Sequence, residues 1–173
     1  MLSLLNVILG EGMSSRLFLE IRERLGLAYA VDSYVSTLAD TGVVGVYAAV
    51  APDRALEALA AILGQLQRLR DEAVDVQTLH NAKEFIKGRL LLGMEDTMAV
   101  AGWFGRQEAV DGEQLTVEEI VARIEQVSAD DLQQVANQLL RAGHGQLAVV
   151  GPHKRKEEAR FKALLVDGPL AAG

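Results

Sequence analysis

The sequence predicts an α+β domain in which helices pack on one face of an antiparallel or mixed β-sheet, and three observations lead there. Most of the chain repeats apolar residues at steps of three and four, the period of a helix with one buried face. Two runs rich in β-branched and aromatic residues, "LAYAVDSYVS" and "GVVGVYAAV", flank the turn-forming "TLADTG" and read as a hairpin. Strands and helices do not alternate in the βαβ order that builds a parallel sheet, so the two kinds of element segregate.

Taken in order, residues 2–9 are apolar apart from Ser3 and Asn6 and form a buried helix, which Gly10 and Gly12 break. A second helix over about 14–25 places Leu17, Phe18, Ile21 and Leu25 on one stripe, with Ser14 or Ser15 as cap and Gly26 as the closing glycine. In the hairpin, Tyr29, Val31 and Val35 share one face, and Gly42 and Gly45 predict a bulge or a close backbone approach. Pro52 and Asp53 open a helix whose stripe is Leu56, Leu59, Ala60, Leu63, Leu66 and Leu69. Asp75 caps a long helix to about Met94, and another runs over about 97–110. "TVEE" and "SADD" are capping boxes for two further helices. "GQLAVVG", 145–151, reads as a last strand, and the rest as a peripheral tail with a solvated charge run at Lys154–Lys156. Three strands make a thin sheet for so many helices, with at least one edge open.

At 173 residues the chain holds one domain with a real core. Lys and Arg total 17 against 24 Asp and Glu, a net charge of −7, which argues against a dedicated nucleic-acid surface or an anionic-membrane binder. The chain has no cysteine, which removes disulfides, thiolate metal sites and cysteine nucleophiles. No apolar run approaches the roughly 20 residues that span a bilayer. The opening "MLSLLNVILGEG" lacks a basic n-region and a small-residue cleavage site, and reads as a helix already in progress, as in part of a larger protein.

Candidate chemistry is sparse. His80 and Glu84 lie four apart on one helix, but two ligands without a third make a poor zinc site; His144 and His153 read as solvated. Glu95 and Asp96 are adjacent, point in different directions on a helix, and mark a helix end. No nucleophile elbow, P-loop or dinucleotide fingerprint occurs. Arg22 and Tyr29 stand apart. Arg22 sits at the margin of the buried stripe, one turn beyond Phe18, with its head able to reach over the hairpin. Tyr29, on the face of Val31, would have a partly buried ring and a hydroxyl in need of a partner. The residues alone leave two readings open, a packing pair and a site.

"LNVILGEGMSSRLFLEIRERLGLAYAVDSYVS", "LHNAKEFIKGRLLLGMEDT" and "VSADDLQQVANQLL…GQLAVVGP" resemble the C-terminal half of the pitrilysin and mitochondrial-processing-peptidase family of zinc peptidases, the inverted zincins. The resemblance runs from about Leu2 to Pro152. It implies two homologous α+β domains closing around an extended peptide, with zinc held by an H-x-x-E-H motif in the other domain. This sequence has no such motif, so the resemblance implies the non-metal domain, with no cofactor of its own and zinc in a partner domain.

The arginine and tyrosine that the family places seven apart at this junction match Arg22 and Tyr29, where they would support the substrate carbonyl as it gains negative charge. The implied organisation is a peptidase domain over 1–152, truncated at its N-terminus, and a tail over 153–173. Its implied partners are an N-terminal zinc-binding domain or subunit and a peptide substrate, with neither nucleic acid nor membrane. Homodimerisation at the open sheet edge is a further expectation. A non-catalytic interaction subunit beside a separate zinc-bearing peptidase is the alternative function. Acidic balance and absence of cysteine fit a bacterial cytoplasm.

Overall fold

The computed structural model describes residues 1–38, 40–141 and 143–170. Helix α1, Leu2–Leu9, lies at the centre, with Leu4, Leu5, Val7, Ile8 and Leu9 all buried. A helix apolar on nearly every side is stable only when neighbours cover it all round. Here those neighbours are a hairpin and three helices. The chain then passes through the glycine-bounded loop "GEGMSS" into a short π-helix, Phe18–Arg24, and on to strands β1, Ala28–Thr37, and β2, Gly42–Val50.

The strands pair antiparallel, with Val31 opposite Ala48, Ser33 opposite Val46 and Val35 opposite Val44. These pairs share the face turned to α1 and the core. The opposite face carries Asp32, Tyr34 and Tyr47 into solvent. Gly42 takes the close approach that the sequence suggests, since a Cβ there would lie 2.7 Å from the Ser36 carbonyl oxygen. Gly45 serves a different purpose, because the Tyr34 ring leans across the strand onto it, leaving 2.4 Å between an added Cβ and Cζ of the ring.

Helix α2, Ala55–Asp71, buries Ala55, Ala58, Ile62, Leu63, Gln65, Leu69 and Arg70, a face that keeps Leu63 and Leu69 of the expected stripe and turns towards Ala58 and Ile62. Leu56, Leu59 and Leu66 flank it, half-buried, because the small Ala58, rather than a leucine, sits at the tightest contact. Helix α3, Val76–Gly93, is capped by Asp75 as predicted. Helix α4, Thr97–Arg106, has no buried residue and continues into the π-helical turn Gln107–Asp111, where Gln107 is buried. Both capping boxes form, at the starts of α5, Val117–Gln126, and α6, Ala129–Leu139. Residues Arg155–Asp167 fold as α7, which docks on α2 through the buried Phe161.

The expected third strand does not form. Residues 145–150 are exposed and make no ladder, with Val150 99% exposed. β-propensity marks a segment fit for a sheet, but a strand exists only when its N–H and C=O groups meet a partner edge, and no described strand pairs with this segment. No helix among the described residues is long and apolar enough to cross a membrane.

Candidate functional site

The stretch from Gly10 to Ala30 builds one corner of the molecule. Ser15 opens its helix, donating through Oγ to the Gly12 carbonyl at 2.7 Å and accepting the Phe18 N–H at 3.4 Å. Leu17 and Ile21 are fully buried and fix the inner face, so Arg22, the next position round, emerges at the rim. The winding is wide, since Leu25 N–H donates to the Glu20 carbonyl five residues back at 3.0 Å. Such π-turns concentrate at functional sites. Gly26, at φ +58°, ends the helix in the left-handed conformation, and Leu27 N–H closes onto the Ile21 carbonyl at 2.9 Å.

β1 then begins with a bulge. Ala28 faces Val50 and Ala30 faces Ala49, so Tyr29 is an extra residue with no partner across the ladder. A bulge shifts the alternation by one and re-aims a side chain. Ala28 and Val31 therefore both face the core, while Tyr29 is 85% exposed. This corrects the expectation that Tyr29 shares the face of Val31 and half-buries its ring. Simple period-two alternation would put it there, and the inserted residue breaks the period.

The structure brings Arg22 and Tyr29 together. The Arg22 guanidinium carbon lies 6.0 Å from the Tyr29 ring centroid and 5.0 Å from that of Phe18, within cation–π range of both rings. Arg24 and Glu20 neutralise each other, with Nε 2.6 Å from Oε2, and the Arg24 hydrogen bond holds the Glu20 carboxyl below the ordinary carboxylate range. Among the described residues Arg22 has one ion-pair partner, Glu23 at 3.9 Å. The corner thus presents a charged fork and a phenol, two kinds of donor for an oxygen that gains negative charge.

A polar network that the sequence does not advertise joins α1, β1 and α3. Ser33 Oγ donates to Asn6 Oδ1 at 2.8 Å, Asn6 Nδ2 donates to Glu11 Oε2 at 3.0 Å, and Glu11 pairs with Arg89 of α3. Asn6, Glu11, Asp32, Tyr34 and Arg89 line a cleft of about 450 Å³. The one available signal is Asn6, a polar residue inside an apolar helix, which must find partners when buried.

The histidines do not converge. His80 is exposed, and Glu84 reaches Lys87 at 2.5 Å instead. His153 is half-buried, its ring edge-on to Phe161 at 5.5 Å. Among the described residues no three His, Asp or Glu side chains gather to hold a metal ion.

Residues 1–86 match the family model described as the peptidase M16 inactive domain. The chain belongs to the M16 inactive-domain family. A protein of Streptomyces coelicolor, named an uncharacterized zinc protease, is 39% identical to it over 160 residues, covering 92% of this chain and 35% of the relative. A crystal structure of a conserved protein from Enterococcus faecalis superposes at a TM-score of 0.73 and 26% identity, over 79% of this chain and 32% of that one. A protease from Helicobacter pylori superposes at 0.72 and 26%, over 81% and 34%. The M16 inactive domain described here spans about a third of the length of the curated relatives it matches. Its α+β fold, with helices over one face of an antiparallel hairpin, is shared with the Enterococcus faecalis protein and with a peptidase M16 inactive domain from Pseudomonas fluorescens, which superposes at a TM-score of 0.72 and 20% identity over 79% of this chain and 33% of that one.

Proposed function

We propose that this chain is the non-metal half of a zinc-dependent metalloendopeptidase, binding the peptide substrate and stabilising the transition state without being active alone. The observation that carries the reading is the bulge at Tyr29, which turns a phenol out of the core and sets it beside the Arg22 guanidinium at the rim. A structural pair would gain by burial; this one faces outward, where another polypeptide can reach it. The phenol and guanidinium would donate to the substrate carbonyl oxygen as charge develops on it. Among the described residues no three His, Asp or Glu side chains gather to hold a metal ion, and in this reading the metal and its chemistry come from a zinc-bearing domain or subunit, the proposed partner. A soluble cytoplasmic setting is part of the same proposal.

The test uses this chain reconstituted with, or joined to, a zinc-bearing half. Tyr29→Phe should lower kcat more than it raises KM, with an unchanged circular dichroism spectrum. Unchanged kinetics remove Tyr29 from the reaction. Chelator-sensitive hydrolysis of peptides by this chain alone would overturn its dependence on a partner.

A further inference from the structure

We infer that Phe18 is a positioning residue, which holds the Arg22 guanidinium in place for the substrate and orients its charge without neutralising it. This rests on the role proposed above for Arg22 and Tyr29. The guanidinium carbon lies 5.0 Å from the Phe18 ring centroid, nearer than the 6.0 Å to that of Tyr29. Phe18 stands one turn before Arg22 on the same helix, half-buried beside the fully buried Leu17, so the packed helix sets where its ring lies.

The same helix treats its next arginine in the opposite way. Arg24 has Glu20 four residues before it, and close hydrogen bonds, one of them 2.6 Å from Nε to Oε2, join the two and cancel their charges. The residues three and four positions from Arg22 in either direction are Phe18, Leu19, Leu25 and Gly26, none of them a carboxylate. Glu23 is adjacent in sequence and 59% exposed at its side chain, 3.9 Å from Arg22; adjacent helix positions do not face each other, and surface pairs of this kind contribute little. An arginine in a close ion pair has its donors engaged by the carboxylate. One held against a ring keeps its N–H groups for another acceptor, because the attraction is to the ring face. A long side chain without support samples many rotamers, and fixing it at the moment of reaction slows the step. Phe18 supplies that order in advance and acts through Arg22.

Two measurements test this. In the chain by itself, nitrogen relaxation of the Arg22 Nε–H group should report an ordered side chain, which Phe18→Leu loosens and Phe18→Tyr, keeping a ring, does not. In the enzyme reconstituted with a zinc-bearing half, Phe18→Leu should lower kcat about three- to tenfold, with KM and the circular dichroism spectrum little changed. Phe18→Tyr should keep the wild-type rate, and Phe18→Leu should cost nothing further in an Arg22→Ala background. An Arg22 side chain equally ordered in the wild type and in Phe18→Leu overturns the proposal. So does a Phe18→Leu loss that persists in the Arg22→Ala background, which would set the ring against the substrate itself. Wild-type kinetics for Arg22→Ala overturn the role of Arg22, and this inference with it; the two failures are told apart because the others leave Arg22→Ala impaired.

Discussion

Gly10 and Gly45 show how two glycines of similar appearance differ in what they hold. A Cβ on Gly10 would sit 2.5 Å from the Ser33 backbone nitrogen, whereas on Gly45 it would meet the ring tip of the half-exposed Tyr34. Backbone cannot step aside and an exposed ring can, so Gly10→Ala should cost about 1–3 kcal/mol and Gly45→Ala distinctly less. Urea titration of the two variants decides it, and equal losses would refute the distinction. Gly10 also carries the loop between α1 and the π-helix, so its loss should displace Arg22 as well. At this scale the sequence names the right residues but not their surroundings. Arg22 and Tyr29 are conspicuous in the chain, but the exposure of Tyr29 depends on a one-residue insertion relative to β2, which only the partner strand defines.

Helix starts were the most legible elements, because a cap is a local transaction among four residues. Thr116 with Glu119 and Ser128 with Asp131 bond reciprocally, and Ser128→Ala should cost about 1 kcal/mol in thermal or denaturant unfolding. Asp75 accepts from the Thr78 hydroxyl at 2.6 Å and its N–H at 2.9 Å, which hold its carboxyl below the ordinary value. A value depressed in the folded state gives stability that is present above the unfolded-state value, roughly 3.9, and is lost as pH falls through the folded one. Melting temperatures of the wild type and Asp75→Asn, which keeps a capping side chain without the charge, should therefore converge on acidification; a constant gap would contradict this. The segment 145–150 is the opposite case. Its composition is that of a strand, but pairing is a property of two segments, and its pair is not among the described residues.

The core gathers α1, the π-helix, the hairpin, α2, α3 and α6 around Leu4, Leu17, Ile21 and Leu132, each at most 2% exposed. Leu132 is wholly buried in this core, so Leu132→Ala should cost about 2–5 kcal/mol, read from the denaturant midpoint at constant slope. The sequence by itself determined the helices as far as α6, their caps, the hairpin and the family, because periodicity, capping and motif order are written in near neighbours; α7, in the segment read as a tail, it did not. Tertiary structure decided the rest: which face of α2 is buried, that Asn6, Ser33, Glu11 and Arg89 form one network, and that Tyr29 points outward beside Arg22. These depend on where distant segments meet, and only packing sets those distances.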